Sequence, residues 1–183
     1  MKAWQIKAYG TNDVFKLVEI PNPTPKAGWV IIQIRAFGLN RSELYTRQGH
    51  SGDAVSLPRV LGIECVGEVI HGGGADLQPG QQVAAAMGSM GRLYDGGYAE
   101  RTQVPRSNVF PVKTTLGWEA FGALPETINT AYATPVLQTI VDKVTSGGYL
   151  PNIHQVFSFA TLPLAMEMME NNQAVGKLVV RVP

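Results

Sequence analysis

Arg-Ala-Phe-Gly-Leu-Asn-Arg-Ser-Glu-Leu-Tyr-Thr-Arg-Gln-Gly occupies residues 35–49, and Leu-Pro-Arg-Val-Leu-Gly-Ile-Glu-Cys-Val-Gly-Glu-Val follows at 57–69. The pair reads as a strand broken at Gly38, a short helix from Asn40 to Gln48, a loop, and a returning strand interrupted by Gly62 and Gly67. Glycine inside a strand marks a bulge or a close approach of two backbones, which suits a strongly coiled barrel.

Working outward, residues 2–8 and 15–20 alternate as short strands around a Gly10-Thr11-Asn12-Asp13 turn. Pro21, Pro23 and Pro25 deny helix and give an extended connector that ends at Gly28. Val30, Ile32, Ile34 and Ala36 then share one strand face. Further short strands are predicted at 83–86, from Gly96 to Val104 and at 109–112, with turns at His71–Asp76 and Pro79-Gly80. Many short strands with glycine and proline between them argue for a compact β-barrel.

The composition changes after Thr115. Residues 118–124 and 126–133 read as helices separated by Pro125, and Thr134-Pro135 starts another. Val136, Leu137, Ile140, Val141 and Val144 form its apolar stripe, and Gly147-Gly148 stop it. A helix over 161–170 turns Leu162, Ala165, Met166 and Met169 inward, and 177–182 closes the chain as a strand. The fold class expected is mainly β with flanking helices, a barrel with C-terminal helices and a closing strand.

The whole chain of 183 residues suits one domain, and 45% apolar against 16% charged residues supports a packed core. A net charge of +1, with no basic stripe among aromatics, argues against nucleic acid as a partner. The single Cys65 excludes an internal disulfide and a cysteine-based metal cluster. No apolar run approaches the ~20 residues of a membrane span. With no signal-peptide core at Met1–Ile6, a soluble cytoplasmic protein is expected.

On the two quoted stretches, with Gly-Gly-Tyr-Ala-Glu (96–100), Leu-Pro-Glu-Thr-Ile-Asn-Thr-Ala-Tyr (124–132) and Gly-Lys-Leu-Val-Val (176–180), the chain resembles the medium-chain dehydrogenase/reductases. The branch it resembles is that of the zinc-independent quinone oxidoreductases. Residues 1–133 are similar to the GroES-like catalytic domain, and 135–183 to the family's C-terminal return. In the family a Rossmann domain lies between these blocks. Its signature, a strand, Gly-x-Gly-x-x-Gly and a helix, is absent here. The resemblance therefore implies two blocks joined near Ala133-Thr134, with the nucleotide domain excised.

Zinc-dependent relatives carry Cys where this chain has Asn40, and Gly-His-Glu where it has Gly62-Ile63-Glu64, so no metal is expected. His50, His71 and His154 show no ligand spacing. The resemblance puts Asn40 against the nicotinamide, where an amide both donates and accepts, although asparagine also caps helices. It places Thr130 near the same ring, and Tyr45 as a cleft wall, a hydrogen-bond donor or a proton source. Glu64, in an apolar strand, requires a partner, for which Arg41 or Arg35 is expected. Arg41 and Arg47 are read as solvated surface, with cofactor phosphates as the alternative.

The intact parent is expected to pass a hydride from NADPH to a quinone or an activated enone or aldehyde. This chain is expected to bind no cofactor and to turn over little. The rival reading is a non-enzymatic interaction module, self-associating as a homodimer through the bared interdomain face.

Overall fold

Strand β3 (Trp29–Gly38) is the axis of the molecule. A computed structural model describes residues 1–74, 76–128 and 134–183. Ahead of β3 lie β1 (Lys2–Ile6) and β2 (Phe15–Glu19), and after it α1 (Arg41–Arg47) and β4 (Arg59–Val60). The chain continues through β5 (Glu64–His71), β6 (Gln82–Ala86), β7 (Arg101–Pro105) and β8 (Val109–Pro111). Helices α2 (Trp118–Gly122), α3 (Pro125–Ile128) and α4 (Thr134–Thr145) follow. Then come β9 (Ile153–Ser158), α5 (Leu162–Glu170) and β10 (Lys177–Arg181). Strands β2-β1-β4 form a small sheet, and β8-β6-β5-β3-β10-β9 a large one in which β7 also pairs with β3.

One edge of β3 is shared by two strands. Its first half pairs with β7 (Val30↔Val104) and its last residues with β10 (Val179↔Gly38). The other edge carries β5, with register shifts on either side of Ile32–Ile34. Gly67 permits this: a Cβ there would lie 2.0 Å from the Gln33 carbonyl oxygen. The close approach expected from a glycine inside the strand is the one observed.

Alternation along these strands divides the core in two. Ile32, Ile34, Phe37, Cys65, Val180 and the inward face of α5 share one cluster. Ala36, Val66, Ala84 and Val179 face the other way, onto Phe121 of α2 and the stripe Leu137, Val141, Val144 of α4. Each such side chain contributes about 1.5–3 kcal/mol when fully buried, so α4 is held by its stripe rather than by propensity. Gly147, at φ +79°, ends that helix, with N–H groups of Gly147 and Gly148 returning to the carbonyls of Val144 and Lys143.

Helix 118–124 is shorter than expected, ending at Gly122. Strand β9 was not expected at all. It is the sheet's outer strand, pairs parallel to β10, and exposes His154, Gln155 and Val156. A strand buried at so few positions carries little two-residue alternation. The remainder of the predicted helix 126–133, Thr130 and the proposed junction at Ala133 lie outside the described residues. Among the described residues no helix is long and apolar enough to cross a membrane.

Candidate functional site

The antiparallel register of β10 on β3, extended by the Leu39 N–H to Leu178 carbonyl bond, sets Lys177 opposite Asn40, the residue preceding α1. Glu64 opens β5 alongside. The Lys177 ammonium lies 2.5 Å from Asn40 Oδ1, 2.8 Å from Glu64 Oε1 and 3.5 Å from Glu126 Oε2. Asn40 Nδ2 donates to Glu64 Oε1 at 2.9 Å, and the Glu126 backbone N–H to Glu64 Oε2 at 2.7 Å. Gly38 makes room for the group, since a Cβ there would fall 2.4 Å from Lys177 Cε and 2.5 Å from Glu64 Oε1.

Beneath this group lies a second carboxylate. Glu43, at the third position of α1, accepts from the Asn40 backbone N–H at 2.7 Å and the Ile63 N–H at 3.0 Å. It is fully buried. Burial first, and then the neighbouring Glu64 charge, raise its pKa to about 7 despite these bonds. Burial pulls the Lys177 ammonium down, but the carboxylates of Glu64, Glu126 and Glu43 together outweigh it, Glu64 foremost, and hold the pKa above the ordinary lysine value. Tyr98, packed on Phe37, is raised well above the ordinary tyrosine value, chiefly by burial.

A cavity of about 500 Å³ opens over this cluster, and its polar lining comprises Asn40, Arg41, Ser42, Arg92, Glu126 and Lys177. Ile63, Met87, Met90, Met169 and Leu178 are among its apolar lining. Thioether walls adapt to flat ligands, and a few convergent polar groups in an apolar hollow are what a small-molecule site needs.

Of the predicted site residues, Asn40 lies on the cavity wall, 8% exposed, with its amide committed to Glu64 and Lys177. Tyr45 does not line it. The ring stands on the exposed side of α1, 6.3 Å from that of His50. Thr130 is outside the described residues. Glu64 is ion-paired as expected, but with Lys177. Arg35 instead meets Glu68 at 2.8 Å, because the register Gln33↔Glu68 makes the two diagonal neighbours. Arg41 reaches Asn172 at 2.5 Å and lines the cavity.

Arg47 corrects the surface reading. It is fully buried and ties α1 to α5 through Glu170 at 2.7 Å. Sequence reasoning also missed Lys177 and Glu43. The signal that could have found Glu43 is the Asn-x-x-Glu spacing at a helix start, a capping-box pattern. No local pattern marked Lys177.

Among the described residues no three His, Cys, Asp or Glu side chains gather to hold a metal. At Asn40 and Glu64 a cation is already in place, the Lys177 ammonium. A dinucleotide fits no better: among the described residues no glycine-rich turn joins a strand to a helix, and the only parallel strand pair is β9–β10.

Residues 26–114 match the family model described as alcohol dehydrogenase GroES-like domain. Compactin diketide synthase mlcB of Penicillium citrinum is 33% identical over 109 residues, 57% of this chain but 4% of that protein. Quinone oxidoreductase of Rattus norvegicus is 28% identical over 127 residues, 68% of this chain and 37% of that enzyme. This chain thus spans well under half the length of these relatives. The crystal structure of an NAD-dependent alcohol dehydrogenase superposes with a TM-score of 0.86 at 14% identity, covering 100% of both chains. The quinone oxidoreductase from Coxiella burnetii gives 0.81 at 18%, covering 100% of this chain and 99% of that one. At these identities the structural likeness shows the fold. Residues 26–114 are thus similar to the alcohol dehydrogenase GroES-like domain, and the chain has the GroES-like fold of these quinone oxidoreductases and alcohol dehydrogenases.

Proposed function

We propose that this chain is the substrate-holding domain of an NADPH-dependent, zinc-independent reductase of quinones or activated enones and aldehydes, with little turnover of its own. The observation that carries the reading is the cavity itself, whose lining combines Ile63 and three methionines with Asn40 and the Lys177 ammonium. A planar acceptor packs against the methionines and turns its carbonyl oxygen toward Lys177. Negative charge growing on that oxygen during reduction meets a fixed ammonium already oriented by Glu64 and Asn40, so little reorganisation is required. Glu126, at 3.5 Å and the most loosely held of its partners, is the group the oxygen displaces. Asn40 keeps Lys177 in place and faces the reacting ring. Tyr45, outside the cavity, belongs at most to the rim that a second domain would cover. The two chain blocks meet near Ala133-Thr134.

The residues present do not fit a dinucleotide, so no step is derived through one. Calorimetric titration of the purified protein with 1,4-naphthoquinone and, separately, with NADPH tests the reading. Saturable quinone binding that Lys177→Met weakens, with no NADPH binding or oxidation, is the expected result. Absence of quinone binding would overturn the substrate assignment, and NADPH oxidation would overturn the low-turnover assignment.

A second reading, a self-associating module, draws on Leu150 and Val175, 86% and 77% exposed. Its test is sedimentation over a range of concentrations, where a strict monomer refutes it.

A further inference from the structure

The cavity's charge is not explained by a neutral carbonyl acceptor. Three cations line it, Arg41, Lys177 and Arg92, against one lining carboxylate, Glu126. Lys177 is neutralised by Glu64. Arg92 is not neutralised: among the described residues its guanidinium has no ion-pair or hydrogen-bond partner, and its Nε is buried with none. Asp95, three residues on, is taken by Arg59 at 3.1 Å. A guanidinium whose Nε is buried without a partner forfeits a hydrogen bond that it makes in water, and a ligand anion that meets the guanidinium is favoured.

The segment that carries Arg92 is built to hold it there. Between β6 and β7, Met87, Gly88, Ser89 and Gly91 adopt φ of 61°, 56°, 72° and 74°. Two of these are not glycine, and such backbone persists only where its surroundings enforce it. Here Asn108 Nδ2 donates to the Met87 carbonyl at 2.9 Å, and Tyr94 Oη to the Gly88 carbonyl at 2.8 Å. Tyr94 is itself braced edge-on by Trp29 at 5.1 Å. The Arg92 N–H closes onto the Ser89 carbonyl at 3.0 Å. The result is a rigid turn that brings Met87, Met90 and Arg92 into the lining of the cavity.

Resting on the substrate-domain reading above, we propose that the acceptor taken by this cavity carries an anionic substituent, a carboxylate, sulfonate or phosphate group, and that Arg92 binds it. The apolar wall takes the ring and the Lys177 side takes the carbonyl oxygen. Arg92 supplies a charge-assisted, two-pronged hydrogen bond to the anion at the opposite rim, with the exposed Arg41 adding to the field.

The test is calorimetric titration of the wild-type protein and of Arg92→Gln with four probes: 1,4-naphthoquinone, 1,4-naphthoquinone-2-sulfonate, naphthalene-2-sulfonate and inorganic pyrophosphate. Cys65, the single thiol, is fully buried with its pKa raised by burial, which keeps quinone addition to sulfur slow. The sulfonated quinone is expected to bind about tenfold tighter than the neutral one. Added salt should erode that preference and leave neutral binding unchanged, and Arg92→Gln should abolish it while keeping the neutral quinone's affinity. The unchanged neutral affinity shows the variant cavity intact; should the variant fail to fold, the wild-type salt dependence decides instead. Equal binding of both quinones, or a preference that survives Arg92→Gln, would overturn the proposal. Tight pyrophosphate binding without sulfonate binding would also overturn it, since Arg92 would then read a free phosphate rather than a substituted ring. Binding of naphthalene-2-sulfonate through Arg92 without either quinone would sustain the anion site and sink the quinone reading alone.

Discussion

Replacing Lys177 with methionine removes the ammonium and keeps nearly the same chain length over Gly38. Glu64, 0% exposed, would retain the Asn40 amide and the Glu126 N–H but lose the one cation paired with it among the described residues. Breaking a buried pair by removing one partner costs about 3–5 kcal/mol, most of it the uncompensated charge left behind. For a chain of this size that is a fall in Tm of roughly 6–20 °C. Urea denaturation followed by far-ultraviolet circular dichroism and by fluorescence measures it; Trp4, buried with its indole N–H on the Phe159 carbonyl at 2.8 Å, reports on the core beside β10. The decisive variant is the double substitution Glu64→Gln/Lys177→Met. An amide at 64 bears no charge and still accepts from Asn40 or Glu126, so the double variant should recover at least half of the loss. The coupling energy should be about 2 kcal/mol, within the range of residues in one network. A single-variant loss below ~1 kcal/mol, or additive losses in the double, would show that the geometry is not the energetic pair described here.

Glu43 makes stability depend on pH in a direction opposite to that of most carboxylates. Its pKa rises from the ordinary 4.5 to about 7 on folding, so the folded state holds the extra proton between these values. The unfolded state binds fewer protons in that window, so stability falls as pH rises through it, by about 2–3 kcal/mol between pH 5 and pH 8. Lys177, shifted upward, acts only in the alkaline range, while Asp13 and Asp76, shifted downward, act only below the ordinary carboxylate range. Chemical denaturation across that window should therefore show the slope in wild type and lose it in Glu43→Gln, and an unchanged slope in the variant would refute the assignment. Gly67→Ala drives a methyl group onto the Gln33 carbonyl, with no flexible side chain to give way. It should cost about 3 kcal/mol or more by opening the β3–β5 ladder, and a loss below ~1 kcal/mol by urea denaturation would show that the strands part easily there.

What the sequence made legible follows from how far each interaction reaches along the chain. The coiled sheet could be read because its evidence is local: Gly67 interrupts an apolar strand within view of its neighbours, and the α5 residues Leu162, Ala165, Met166 and Met169 repeat at helical spacing. Asn40 could be read because it opens a short helix after a glycine. Lys177 could not, since it stands 137 positions from Asn40 and is brought there only by the pairing of β10 with β3. The same distance explains the wrong partners for Glu64. Arg35 and Arg41 are near in sequence, but register gives Arg35 to Glu68, and the exposed start of α1 gives Arg41 to Asn172. Arg92 was hidden for a different reason. Its loop carries two glycines and no regular apolar period, which reads as an ordinary turn; only its positive φ angles, its anchors Asn108 and Tyr94, and the missing partner of its guanidinium set it apart. The sheets were thus specified by short-range pattern, and the chemistry of the cavity by charges that the closing strand and one strained loop deliver from far along the chain.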